Sequence, residues 1–248
     1  MNKYYDFPNN PIIEALLDIQ VKLPEGTPVT QLESFHEKIR KYFPEKQQRI
    51  STRSGITLMP EAATLPNEGV FDGYFLQSPD KKKIIQVRLD GFTYNKLKPY
   101  KDWEEFRNEA QALWNLYFQI TTPVRIMRIA LRYINRVEIP LPLKDIKEYL
   151  STAPEIAPEL PQIVNYFFMR LVIPNTDIQA VAVINQTLEG PTDDNKLPVI
   201  FDIDVFRDVD YTDNRAEIWT EFEKLHIFKN DIFFHSITEK TKELLRQR

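Results

Sequence analysis

The sequence predicts an α+β protein built as two tandem β-α-β-β-β-α pseudo-repeats, with antiparallel sheet(s) carrying amphipathic helices on one face. Three observations lead there. Several stretches alternate apolar and polar residues with period two, as half-buried strands do. Two long stretches place apolar residues at helical spacing instead. Finally, residues 1–122 and 123–248 both read strand, helix, three strands, long helix; the repeat is one of order and pattern, not of residue identity. Thr121-Thr122-Pro123 marks the boundary between the two units. Each half alone offers a small core, so the halves are expected to pack as one compact body.

In the first unit, Ile13, Ala15, Leu17, Ile19, Val21 and Leu23 alternate with mostly polar neighbours until Pro24-Glu25-Gly26 ends the strand. Leu32, Phe35, Ile39 and Phe43 recur at helical spacing, which predicts a helix over about 29–43, stopped by Pro44. A weaker strand near 48–58 leads to a proline-containing loop at about 60–69. A hairpin follows: about 70–77, a turn at Ser78-Pro79-Asp80, then about 83–97 as one strand. Asp102, with Glu105 three residues on, has the spacing of a helix cap and starts a helix over about 103–119.

The second unit opens with a long strand over about 124–139 and a short helix over about 143–150. Strands at about 163–173 and 177–188 flank a turn at Pro174-Asn175-Thr176, and about 198–206 alternates cleanly. Asn214, with Glu217 three residues on, is the expected cap of a C-terminal helix carrying Ile218, Trp219, Phe222 and Leu225, bent near Lys229-Asn230.

Composition narrows the function classes. The chain has 248 residues, 42% hydrophobic and 27% charged, enough apolar material for a real core. With no cysteine there is no disulfide framework, thiol nucleophile or cysteine-based zinc site. No apolar run approaches the roughly 20 residues of a membrane span, and the start does not read as a signal peptide. The expected location is cytoplasmic. Lys+Arg total 32 against Asp+Glu 36, so no global basic field recruits nucleic acid. Two local clusters resist that average: Lys38, Arg40, Lys41, Lys46, Arg49 and Arg53, and the acid-free run Arg125, Arg128, Arg132 and Arg136.

The second cluster carries the functional reading. On the 124–139 strand, Met127, Ile129, Leu131, Tyr133, Val137 and Ile139 point one way; Arg128, Arg132 and Arg136 point the other. Arg88 and Asp90 sit opposite Val87 and Leu89, Asp202 and Asp204 oppose Phe201 and Ile203, Glu14 and Asp18 face the polar side, and Arg170 joins from 163–173. Such a face can be a lattice of cross-strand ion pairs, each worth roughly 0.2–1 kcal/mol. That is the ordinary state of an antiparallel sheet; the sharper alternative is that it presents guanidinium forks that grip a phosphate, a carboxylate or an acidic protein surface bidentately. The exclusive use of arginine over lysine on this strand favours Arg88, Arg128, Arg132 and Arg136 as ligand-binding residues.

Other chemistries find less support. Asp202-Ile203-Asp204 puts two carboxylates on one strand face, the weak candidates for a Mg²⁺ site and a metal-dependent hydrolase, but no third ligand is evident. His36, His226 and His235 are scattered on amphipathic helices and read as core-edge residues. No zinc-protease pair, nucleophile elbow, P-loop or dinucleotide fingerprint occurs. Phe71, Tyr74, Phe75, Phe92, Tyr94 and Tyr100 could stack bases if exposed, but strand aromatics usually enter the core. No catalytic residue and no cofactor is assigned.

Several stretches, in order along nearly the whole chain, carry a resemblance. They are Pro11-Ile12-Ile13-Glu14-Ala15-Leu16-Leu17, Gln86-Val87-Arg88-Leu89-Asp90-Gly91-Phe92 and Asn95-Lys96-Leu97-Lys98-Pro99-Tyr100. Trp103-Glu104-Glu105-Phe106, Leu131-Arg132-Tyr133-Ile134-Asn135-Arg136 and Phe234-His235-Ser236-Ile237-Thr238-Glu239-Lys240 complete the set. They resemble a sporadically distributed family of uncharacterised bacterial proteins of about this length. The resemblance implies a single-domain member without an added catalytic module, and it supplies no activity, cofactor or site residue. Its patchy distribution suits mobile or defence genes, including a toxin–antitoxin component acting by protein–protein contact. The expected function is thus a non-catalytic binding module taking an anionic small molecule or an acidic protein partner on the arginine face.

Overall fold

The computed structural model describes residues 7–52, 55–59, 69–162, 164–212 and 217–247. The chain is α+β, with a large antiparallel sheet. The strands are β1 (Ile12–Lys22), β2 (Glu45–Thr52), β3 (Gly55–Met59), β4 (Val70–Gln77), β5 (Lys83–Arg88), β6 (Gly91–Leu97), β7 (Arg125–Pro140), β8 (Phe168–Asn175), β9 (Ala180–Leu188) and β10 (Lys196–Tyr211). The helices among the described residues are α1 (Glu33–Ile39), α2 (Trp103–Thr121), α3 (Glu217–Ser236) and α4 (Glu239–Arg246). By contact the chain divides into two units. The first holds Met1–Ala15, Leu131–Arg207 and Trp219–Arg248; the second holds Leu16–Ala130 and Asp208–Ile218.

In the second unit the strand order is β3-β2-β4-β5-β6-β1-β7. Period-two alternation decides its faces: Leu17, Ile19, Val87, Phe92 and Tyr94 are fully buried on one side. The α2 helix covers them, with Phe92 against Trp114 and Tyr117 at ring distances of 6.0 and 5.8 Å, and Tyr94 stacked on Phe106 at 5.4 Å. Asp102 caps α2 as its spacing predicts, accepting from the Glu105 N–H at 2.7 Å. The Glu105 carboxylate does not close a capping box; it accepts from Lys96 at 2.5 Å.

In the first unit the order is β1-β7-β10-β9-β8. Tyr133, Val137, Phe201, Ile203 and Val205 are buried on the face that α3 covers, and Phe201 meets Phe233 edge-on at 5.8 Å. This helix side also takes in polar groups: Lys229 is 4% exposed, with its ammonium 3.8 Å from the centre of the Tyr133 ring.

Several elements depart from expectation for local reasons. The expected 29–43 helix begins as a 3-10 turn, Val29–Leu32, and stops at Ile39, whose carbonyl takes the N–H groups of both Tyr42 and Phe43 at 2.8 and 3.0 Å. The expected strand 83–97 is two strands, since the alternation runs unbroken through a tight turn at Leu89-Asp90. The expected helix 143–150 is only a 3-10 turn, Ile146–Glu148, capped by Asp145. Lys229-Asn230 does not interrupt the helix: α3 runs through to Ser236, and Thr238 then caps α4. The proposed cap Asn214 lies outside the described residues.

Candidate functional site

The sheet face away from the helices carries the predicted arginines, and the two units treat them differently. In the second unit Arg88 sits on β5 with its side chain only 7% exposed. Both of its terminal nitrogens donate to Asp18 Oδ2 at 3.0 Å, and its Nε donates to Asp90 Oδ1 at 2.8 Å. The Thr93 hydroxyl donates to the same Asp18 oxygen at 2.7 Å and also contacts Arg88. Burial works against the Arg88 charge, but the two aspartates outweigh it and hold the guanidinium above its ordinary pKa. Gly91 makes room for this arrangement: a Cβ there would lie 2.6 Å from Arg88 Nη2 and 2.4 Å from the Ile19 carbonyl oxygen.

Arg128 is partly buried and stands 3.9 Å from the other oxygen of Asp18. Arg49, a member of the local basic cluster of residues 38–53, lies on this same face, buried against Asp72 and donating to Gln86 at 3.2 Å. The alternation of β2 is the signal that could have placed it, but a register shift at Arg49/Ile50 interrupts the ladder there. In this unit the guanidinium groups are consumed by neighbouring carboxylates.

On this face the first unit keeps Arg132 and Arg170 exposed and Arg136 partly so. Arg132 on β7 is 44% exposed and is held side-on by Asp202 of β10: Nε to Oδ1 at 2.7 Å and Nη2 to Oδ2 at 2.7 Å. Those two bonds raise its pKa further. They use one edge of the guanidinium fork, and the edge carrying Nη1 makes no hydrogen bond among the described residues. Asn185, paired with Asp202 in the β9–β10 ladder, donates to Asp202 Oδ2 at 3.1 Å. Arg170, paired with Asn185 in the β8–β9 ladder, donates to its Oδ1 at 3.3 Å and is exposed. A row Arg132–Asp202–Asn185–Arg170 therefore runs across four strands. Arg136 donates to Glu189 at 2.6 Å and stands 3.6 Å from Glu138. Glu189, beyond the end of the expected strand, was not singled out from the sequence.

The remaining candidates resolve as follows. Asp202 is committed to Arg132 and Asn185, while Asp204 follows it on the same strand face. No group of three or more His, Asp or Glu placed to hold a metal ion occurs among the described residues. His36 meets the Phe43 carbonyl at 3.0 Å, His226 meets Asn230 at 3.0 Å, and His235 meets the Asp231 carbonyl at 2.7 Å. Burial, then the Lys229 charge, pushes His226 down to about 2. Of the aromatics weighed for base stacking, Tyr74, Phe92, Tyr94 and Tyr100 are core. A cleft of about 560 Å³ in the second unit has apolar walls from Ile39, Phe43 and Leu113. At its polar edge Glu109 accepts from Lys83 at 2.7 Å and from Tyr94 at 2.5 Å. No helix among the described residues is long and apolar enough to cross a membrane.

Comparison with protein-family models and with curated proteins gave no match to this chain.

Proposed function

We propose that this protein is a non-catalytic binding module that takes an anionic ligand or an acidic protein partner on the arginine row of its first unit. One observation carries the reading: Asp202 holds Arg132 side-on, and the edge of its fork carrying Nη1 makes no hydrogen bond among the described residues on a side chain that is 44% exposed. Carboxylates and phosphates pair with such an edge bidentately, and an arginine already fixed by a neighbour loses less entropy on binding than a free one. Arg136 and Arg170 flank it with exposed or half-exposed guanidinium groups on the same strands' open face. Arg88 and Arg128, engaged by Asp18, serve the sheet rather than the ligand in this reading. The tandem origin of the two halves is likewise a proposal, supported by the opening strand and long closing helix in each.

Calorimetric titration of the full chain with a glutamate-rich peptide, with citrate and with a lysine-rich peptide tests the assignment. Binding of an anionic probe that weakens with added salt and falls at least about tenfold in Arg132→Gln is the expected result. Equal binding by wild type and Arg132→Gln, or preference for the lysine-rich peptide, refutes it.

A further inference from the structure

The β8 strand ends the sheet order, so among the described residues one of its backbone edges faces no neighbouring strand. A single hydrogen bond tells which groups line that edge. The Leu188 N–H donates to the Phe167 carbonyl, so Phe167 directs its backbone toward β9, and alternation makes Met169, Leu171 and Ile173 do the same. The backbone groups of Phe168, Arg170, Val172 and Pro174 then point outward. Pro174, which has no N–H, closes the row of donors at a position where an outward N–H would have stood.

The side chains along this edge are unusually apolar for a free strand. Phe168 is 57% exposed, Val172 60% and Ile173 40%; Leu160 and Tyr166, just before the strand, are also exposed. Free edges are ordinarily blunted by charge, brevity or a covering segment. Here the single charge is Arg170, between Phe168 and Val172 on one face, and it has no carboxylate within ion-pair distance among the described residues. Among the described residues its one side-chain partner is the neutral Asn185.

We infer that the β8 edge accepts an added strand from a protein partner: an extended segment with apolar residues opposite Phe168 and Val172 and an acidic residue opposite Arg170. Main-chain hydrogen bonds supply the attachment and the alternate side chains supply selection, as in other cases of strand addition. A second copy of this chain is the poorer occupant, because β8 contains no acidic residue to meet Arg170. Like charges brought opposite one another across a ladder are destabilising. The inference rests on the proposed function only for the partner's acidic character; the mode of docking is independent of Arg132.

The test uses the full chain and a synthetic strand peptide alternating valine and threonine around one central glutamate. Amide hydrogen exchange is followed residue by residue. The amides of Phe168, Arg170 and Val172 should slow at least about tenfold on saturation, while an N-methylated version of the peptide protects none of them. A peptide with lysine in place of glutamate should bind at least about fivefold more weakly, and Arg170→Glu should reverse that preference. Peptide binding that leaves the three amides fast overturns strand addition even if Arg132→Gln weakens it, and the arginine reading then stands. Protection of the amides that is unchanged in Arg132→Gln is the expected result, since the peptide carries one glutamate, opposite Arg170, and the Arg132 assignment is decided separately by the glutamate-rich peptide and citrate titrations. Protection without peptide, accompanied by a doubled mass in sedimentation, overturns the inference in favour of a second copy.

Discussion

Asp18→Asn is the substitution that discriminates most sharply between the two kinds of arginine on this sheet. It keeps the shape of the side chain and removes its charge. Arg88, nearly buried, then has only a neutral amide oxygen where a carboxylate oxygen took both its terminal nitrogens at 3.0 Å, and the Thr93 hydroxyl, which donates to the same oxygen at 2.7 Å, is left with that uncharged acceptor. Breaking one partner of a buried pair costs about 3–5 kcal/mol, because the remaining charge stays out of water. Asp90 still bonds Arg88 Nε at 2.8 Å, but it is 69% exposed and its charge is screened, which sets the expectation at the low end, about 3 kcal/mol. For a chain of this size that corresponds to a fall in Tm of roughly 6–12 °C. Asp202→Asn, which releases the accessible Arg132, should cost no more than about 1 kcal/mol. Urea unfolding of both variants at neutral pH gives the comparison. An Asp18→Asn variant within about 0.5 kcal/mol of wild type, or one no weaker than Asp202→Asn, would refute the reasoning.

Two further outcomes follow from single sites. Gly91→Ala forces a methyl group against the Ile19 carbonyl oxygen at 2.4 Å and against Arg88, so it should destabilise the chain by about 1–3 kcal/mol in the same urea assay, where a neutral result contradicts the close approach. Burial pushes the Lys229 ammonium down to about 7 in the folded chain, below the ordinary value of about 10.5 that it regains on unfolding. The unfolded chain therefore binds more protons between those values, and stability gains from this site as pH rises from about 7 toward 10.5. Lys229→Met should be the more stable protein at pH 7, by a few kcal/mol, with an advantage that shrinks as pH climbs; a difference independent of pH excludes the assignment.

The sequence conveys strand faces and helix starts well because both depend on local chemistry. Period-two alternation puts Asp202 and Asp204 on the face opposite Phe201 and Ile203, and Asp102 caps α2 where its spacing places it. The Leu89-Asp90 turn was not legible, since the apolar alternation of Ile85, Val87 and Leu89 passes straight through it. For the arginines, the shared face was readable from β5 and β7, but not which carboxylate each would meet. Arg88 and Asp18 lie 70 residues apart, as do Arg132 and Asp202. Only strand order decides that Arg88 meets a partner in a buried corner while Arg132 meets one in an exposed row. The β8 edge is a property of topology in the same way: its composition looks like an ordinary strand until its neighbour is known on one side only.

The side-chain Nε–H resonance of Arg132 in the isotope-labelled full chain, followed while a glutamate-rich peptide is added, addresses the proposed docking surface most directly. Saturable shifts of Arg132 and Arg170, with the buried Arg88 unmoved, are the predicted outcome. An unresponsive Arg132, or an even drift shared with the exposed Arg40, would contradict it.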